Sequence, residues 1–113
     1  MTEEAREPAA EAPAVRVVDD PGERRYEPYL GDELAGWVTY RFIAGRIVFV
    51  HTEVPAAYAG RGVAARLAAG ALDDARSRGL RVRALCPYVA AYIERHPEYR
   101  DLLADDRDRG VGQ

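Results

Sequence analysis

The spacing of apolar positions along this chain shifts from strand-like to helical near the middle, and then back. VRVVDD (residues 15–20) is rich in β-branched positions, and Pro21-Gly22 breaks it. RRYEPYL (24–30) supports a second strand, and Gly31-Asp32-Glu33 is a turn signal. LAGWVTYRFI (34–43) concentrates aromatic and β-branched residues and predicts a third strand. Ala44-Gly45-Arg46 turns the chain, and IVFVHTEV (47–54) predicts a fourth. Short connections make an antiparallel meander the economical arrangement of these four strands.

After Pro55 the period becomes helical. From Val63 onward the apolar residues Ala64, Leu67, Ala68, Ala71, Leu72 and Ala75 recur at i, i+3 and i+4, with Arg66, Asp73, Asp74, Arg76 and Arg78 mostly opposite. Gly79 is placed as the helix C-terminal cap. LRVRALC (80–86) alternates as a fifth strand. A strand–helix–strand unit is a crossover, so this strand should lie parallel to the fourth. YVAAYIERHPEYRDLL (88–103) predicts a helix interrupted at Pro97, because proline steers the preceding residue out of helical geometry. The fold class that follows is α/β, of the α+β kind: a four-strand meander, a helix, a parallel fifth strand and a C-terminal helix.

Composition sets the ends apart from this pattern. MTEEAREPAAEAPA (1–14) has almost no large apolar residue, cannot bury enough surface to offset ordering, and reads as a disordered tail. Residues 15–104 form the expected single domain, and the charged segment 105–113 is expected to fray. The tail carries acids and lacks an apolar centre, so it is not a secretion signal. No apolar run approaches a membrane span, so no membrane partner is expected. The single cysteine, Cys86, excludes an internal disulfide and fits a reducing cytoplasm. The net charge of −3 argues against a broad nucleic-acid surface, and a monomer or weak dimer is the expected state. Every basic side chain other than the two histidines is an arginine.

Gly60 and Gly62 stand one residue apart between the fourth strand and the helix. The first amides of a helix lack internal partners and carry partial positive charge, and glycine lets a phosphate approach them. AGRGVA (59–64) is not a nucleotide P-loop, since no Gly-Lys-Ser/Thr ends it, and it lacks the third glycine of the dinucleotide fingerprint. Taken alone, the pair fits either a plain turn or a pyrophosphate cradle.

In this context the chain resembles the GNAT superfamily of N-acetyltransferases, whose acetyl-coenzyme A motif is Gln/Arg-x-x-Gly-x-Gly/Ala. Gly62 and Ala64 match it, and Ala59 stands where Gln or Arg is usual. CPYVAAY puts Cys86 at the Asn and Tyr92 at the Tyr of that family's Asn-x-x-Ala-x-x-Tyr segment. The run HTEVP…GRGVA…LCPYVAAYIERHPEY resembles the small, single-domain YjdJ-type branch, over residues 15–103. The resemblance implies a minimal GNAT-like fold with the fifth strand splayed from the fourth. It also implies acetyl-CoA held by Val54, Ala59, Gly60, Arg61, Gly62, Val63, Ala64 and Tyr92. Larger relatives insert two helices between the first two strands; here only DDPGE (19–23) intervenes, so much of the usual acceptor wall is absent.

Acetyl transfer to an amine needs a base, a polarised carbonyl and a proton for the departing thiolate. His51 and Glu53 alternate with Thr52 and share one face at the end of the fourth strand, where the family often places its base. Histidine titrates near neutral pH without tuning, which favours His51. A solvated strand end is the bland alternative for both. Cys86 is placed near the acetyl group as nucleophile, proton donor or inert small hydrophobe, with His51 a possible positive partner across the splay. Tyr92 corresponds to the family tyrosine that protonates the thiolate, or else packs with Val89 and His96. His51, Cys86 and His96 have no recognised zinc spacing, and no metal is expected. The function this implies is acetyl-CoA-dependent N-acetyl transfer to an unidentified amine by direct attack. An acyl-CoA-binding or protein-interaction module is the alternative.

Overall fold

The computed structural model describes residues 14–103. The tail expected over 1–14, Ala14 apart, and the segment 105–113 lie outside the described residues. The elements are β1 (Val15–Asp20), β2 (Arg25–Leu30), β3 (Glu33–Leu34), β4 (Trp37–Ile43), β5 (Arg46–Glu53), a 3-10 turn (Ala56–Tyr58), α1 (Val63–Ser77), β6 (Arg81–Ala84), α2 (Pro87–Arg95) and a 3-10 helix (Pro97–Leu102). They build one sheet in the order β1-β2-β4-β5-β6, with β3 paired only to β2. All pairings are antiparallel except β5–β6, which is parallel, as the crossover requires.

The predicted third strand is in fact two. Leu34 pairs with Tyr29 in β3; the chain then breaks at Ala35-Gly36 and resumes at Trp37 opposite Glu53. Gly36 has φ +148°, and a Cβ there would lie 2.4 Å from the Glu53 carbonyl oxygen. Only glycine lets the backbone approach β5 so closely. The fifth strand is also shorter than its alternation suggests. Leu80 belongs to the helix stop: its amide bonds the Ala75 carbonyl at 2.9 Å while Gly79 bonds Arg76 at 3.0 Å, the paired closure of a Schellman motif. Leu85 and Cys86 leave the sheet, and α2 starts at Pro87, a residue preorganised for a first helical position. The break at Pro97 is as expected.

α1 buries Val63, Leu67, Ala68, Ala71, Leu72 and Ala75, and α2 buries Val89 and Ile93. Both helices join one core with Tyr26, Val38, Tyr40, Ile47, Phe49 and Val82 of the sheet. They therefore cover one sheet face. Alternation puts Arg25, Glu27, Tyr29, Trp37, Thr39 and Arg41 on the other, over which no helix packs among the described residues. Small residues let α1 lie low. At Gly70 a Cβ would sit 2.7 Å from both Cβ and Cγ2 of Val17 in β1.

Tyrosine hydroxyls tie the C-terminal half of α1 to β2 and to the 3-10 helix, and β4 to β1. Tyr26 donates to Asp74, Tyr40 to Asp19 (2.6 Å) and Tyr99 to Asp73 (2.8 Å). Arg78 bridges Asp19, Asp74 and the Tyr26 hydroxyl. Burial first, and then these hydrogen bonds to carboxylates, push the pKa values of all three tyrosines well above the ordinary 10.0.

Gly70→Ala is expected to destabilise. The alanine gains up to about 1 kcal/mol in helix propensity, but the clash falls on the Cβ of a strand residue, and overpacking costs about 1–3 kcal/mol. A fall of several degrees in Tm measures the difference; a Tm equal to or above wild type would mean that β1 shifts freely. A second expectation concerns pH. A tyrosine whose folded pKa is raised contributes stability that is complete below pH 10 and is lost as the pH climbs above it. Denaturant midpoints should therefore hold to about pH 10 and then drop, with a shallower drop in Tyr40→Phe. With no lysine in the chain, the tyrosines dominate that window.

Candidate active site at the strand fork

The pairing of β5 with β6 runs from Arg46↔Arg81 to Phe49↔Ala84 and stops there. The Phe49 carbonyl accepts both the Leu85 amide (2.9 Å) and the Cys86 amide (3.0 Å), which turns the chain out of the sheet into α2. β5 continues to Glu53 paired only with β4. The splay that the resemblance implied is therefore present.

A bulge in β5 sits at the same place. Thr39 pairs with His51 and Tyr40 with Phe49, which leaves Val50 as an extra residue. The bulge resets which face each side chain takes. Phe49 points into the core, whereas His51 and Glu53 point to the uncovered face and Thr52 points inward. His51 Nε2 lies 2.9 Å from Glu53 Oε1, with the two side chains 61% and 49% exposed. The shared face read from the sequence is correct, and the two groups form a solvent-accessible dyad. Trp37 stands opposite Glu53, with the Arg25 guanidinium 4.8 Å from its ring centroid. Arg25 in turn donates to Glu27 (2.7 Å), a carboxylate 5% exposed that also accepts the Tyr29 hydroxyl (2.9 Å).

Cys86 does not end a strand. It precedes α2, is 2% exposed and belongs to the core. Its polar neighbour is Thr52, with Oγ1 3.1 Å from Sγ, and not His51, which faces the other way across the sheet. The sequence reading missed Thr52. A count of inward and outward positions reaches it only once the bulge is known. Tyr92 lies one turn beyond Tyr88 on α2 and stacks against His96 with ring centroids 3.9 Å apart, Tyr99 being 6.0 Å away. His96 Nδ1 contacts the Tyr92 carbonyl at 2.9 Å, so this histidine packs beside the helix end. Burial raises the Tyr92 pKa, which keeps its hydroxyl protonated at neutral pH.

The glycine turn follows β5. Gly60 and Gly62 have φ of +80° and +76°, and a Cβ at either would meet nothing within 4 Å. The space over the turn is open. Gly62 caps α1 without a side-chain hydrogen bond, and the first turn of that helix holds no acid. Its leading amides therefore face outward unpaired by any carboxylate, beside Arg61 and Arg66. Val63 is buried and offers only its backbone; Ala64 and Val54 are partly buried, while Ala59 is exposed. The turn is anchored by Tyr58, whose hydroxyl donates to Glu33 at 2.9 Å and whose ring lies 5.9 Å from the Arg61 guanidinium. A groove between β1 and α1, lined by Val17, Asp19, Asp73 and Ser77, lies away from the fork. Asp19 and Asp73 already accept tyrosine hydroxyls there. Among the described residues no cluster of three metal-ligating side chains occurs, and no helix is long and apolar enough to cross a membrane.

The model of the GCN5-related N-acetyl-transferase family matches residues 25–102. The chain is 35% identical over 102 residues to Protein NATD1 of Bos taurus, covering 82% of this chain and 90% of that protein. It is 36% identical over 85 residues to Protein NATD1 of Mus musculus, covering 74% and 77%. Its fold is similar to the NMR solution structure of a GCN5-like protein from Staphylococcus aureus, with a TM-score of 0.60 over 78% of this chain and 86% of that one, at 24% identity.

The turn is tested by charge alone. Asparagine and aspartate both tolerate the left-handed conformation of Gly62 and are nearly equal in size. Calorimetry should show Gly62→Asp binding coenzyme A at least about tenfold more weakly than Gly62→Asn, the cost of about 1.4 kcal/mol for a carboxylate beside a pyrophosphate. Equal affinities would place the nucleotide elsewhere.

Proposed function

The chain belongs to the GCN5-related N-acetyltransferase family, and from that premise we propose that it moves an acetyl group from acetyl-CoA to an amine by direct attack. The observation that carries this reading is the junction of an unpaired glycine–helix cradle with a strand fork that bears a histidine–carboxylate dyad. On this reading the pyrophosphate rests on the amides of Gly62, Val63 and Ala64, near the side chains of Arg61 and Arg66. Gly60 and Gly62 keep the approach clear, and Val54 flanks the arm that runs toward the fork. Acetyl-CoA is the acyl donor. A cytoplasmic, metal-free enzyme follows from the same reading.

In the neutral histidine one ring nitrogen donates and the other accepts. With Nε2–H given to Glu53, Nδ1 carries the lone pair that takes the ammonium proton. Glu53 then stabilises the imidazolium as it forms, so the two carboxylate and imidazole groups act as one base. The freed amine attacks the thioester carbonyl, the C–S bond breaks, the thiolate takes a proton, and the proton shed by the attacking nitrogen restores the donor through solvent. Tyr92 is assigned the proton given to the thiolate, because its hydroxyl stays protonated. Cys86 is buried and its Sγ contacts a threonine hydroxyl. It is assigned a packing role beside the acetyl group, since moving an acetyl from one thiol to another gains little driving force. Holding amine and thioester together supplies much of the acceleration.

One observation favours the alternative of an acyl-CoA-binding module. The dyad stands on a face that no helix covers among the described residues, so nothing in this region shields the reaction from water. Thiol release separates the two readings. With acetyl-CoA and a panel of amines and peptides, turnover is expected, His51→Ala should lose about a hundredfold or more, and Cys86→Ala should retain most of it. Tight CoA binding with no thiol release for any acceptor supports the module instead. A kinetically competent acetyl-Cys86, seen by intact mass and discharged by amine, with a dead Cys86→Ala variant, would make the cysteine the nucleophile.

A further inference from the structure

The uncovered sheet face holds a buried carboxylate for which the acetyl-transfer chemistry has no direct use. Glu27 is 5% exposed, although no helix packs over its face among the described residues. One of its oxygens accepts Arg25 Nε at 2.7 Å and the other the Tyr29 hydroxyl at 2.9 Å. Taking a charge pair out of water costs about as much as the pairing gives back, so such a pair is weak evidence of stabilisation. What the pair achieves is geometric. Arg25 is held by its Nε, and its guanidinium lies 4.8 Å from the centroid of the Trp37 ring. Trp37 in turn stands directly opposite Glu53 on the same face. Residues so paired have Cβ atoms about 4.5–5.5 Å apart. Tyr29, Glu27, Arg25 and Trp37 thus form one stack that crosses β2 and β4 and ends beside the carboxylate of the dyad.

The backbone of Glu53 is held from the same side. Gly36 approaches so closely that a Cβ there would lie 2.4 Å from the Glu53 carbonyl oxygen and 3.2 Å from Val54 Cγ2. Main chain and side chain of Glu53 are therefore both braced from β4 and the segment that leads into it. That bracing has work to do. His51 and Glu53 are 61% and 49% exposed, and an exposed pair of this kind holds itself together only weakly in water. Charge matters as well. Arg25, Thr39 and His51 share one register row across β2, β4 and β5, about 10 Å from end to end. A bare guanidinium in that row would oppose positive charge on the imidazole. Glu27 cancels it, so the stack supplies a rigid support with no net charge.

The geometry points to Trp37 and Arg25 as positioning residues of the acetyl-transfer site. They hold the Glu53 carboxylate in line with His51 Nε2, and Glu27 fixes Arg25 in turn. Neither touches the reacting atoms. The effect on rate rests on the acetyltransferase reading, whereas the hydrogen bond concerned exists without acetyl-CoA.

Two readouts on the full chain test this. The first needs no substrate. The ring 15N shifts of His51, at about pH 8.5 where an ordinary histidine is neutral, should report a fixed Nε2–H and a bare Nδ1. Trp37→Leu should move them toward the averaged values of histidine in an unstructured peptide, as Glu53→Ala should. Trp37→Phe keeps a flat ring for the guanidinium and should restore most of the wild-type pattern. The second readout is a double-mutant cycle on thiol release. Trp37→Leu should lower kcat about tenfold with the KM for acetyl-CoA unchanged, and should cost nothing further once Glu53 is alanine. Arg25→Leu alone leaves Glu27 buried and unpaired and should lower Tm sharply. Arg25→Leu/Glu27→Leu replaces the pair by apolar side chains, so its Tm should stay within a few degrees of wild type while both readouts follow Trp37→Leu. Wild-type ring shifts already at the peptide values overturn the proposal, and so do additive losses from Trp37→Leu and Glu53→Ala. Unchanged ring shifts and turnover in Trp37→Leu and in the double variant sink this inference and leave the acetyltransferase reading standing. Ring shifts that respond as described, in a protein that acetylates no amine, do the reverse.

Discussion

One carbonyl oxygen sets the shape of this molecule. Phe49 accepts two amides, from Leu85 and Cys86, at the point where β6 would otherwise continue beside β5. A strand that kept its register would donate once there and run on. Two donors on one acceptor bend the chain away, and α2 begins immediately afterwards at Pro87. The Val50 bulge on the opposite edge of the same strand adds local twist at the same level. The consequence is a stretch of β5, from Val50 to Glu53, with a strand partner on the β4 side and no strand partner on the other. Thr52 and Cys86 meet across the base of the opening.

The bulge also explains what the sequence could and could not disclose. The helix, its stop at Gly79 and the crossover to a parallel strand follow from periodicity and cap chemistry, and each stands where it was expected. His51 and Glu53 share a face at any register, because they are two residues apart. Which face they share is another matter. Strict alternation from Phe49, which is fully buried, would put His51 in the core and Thr52 outside. A single extra residue reverses both assignments without altering composition or local propensity. Alternation alone therefore hides the Thr52–Cys86 contact and brings His51 to Cys86 instead. The break at Ala35-Gly36 was hidden for a related reason. It is imposed by the Glu53 carbonyl, a long-range contact, and not by the residues around it, which read as one continuous strand.

The anchoring contacts and the open glycine turn lie at opposite ends of α1. Fifteen residues span about 22 Å. At the far end, Asp73 and Asp74 receive tyrosine hydroxyls, Arg78 joins Asp19 to Asp74, and a Schellman closure satisfies the last carbonyls. Near the C-terminus, Arg76 complements the helix dipole and pairs with Asp101. The near end has none of these devices. Gly62 provides no capping oxygen, and the first turn holds no acid.

That asymmetry has a physical reading. A glycine cap gives up roughly a few tenths of a kcal/mol relative to Ser or Asp, so the omission costs little. An aspartate at the cap would satisfy two amides and oppose an incoming phosphate, whereas glycine leaves the amides and their partial positive charge available to an anion. The helix tolerates the omission because its other end is held by buried hydroxyls and its body by a continuous apolar stripe. The same logic applies across the sheet. One face supplies the whole core, which frees the other from any packing duty and lets it carry a dyad and a tryptophan.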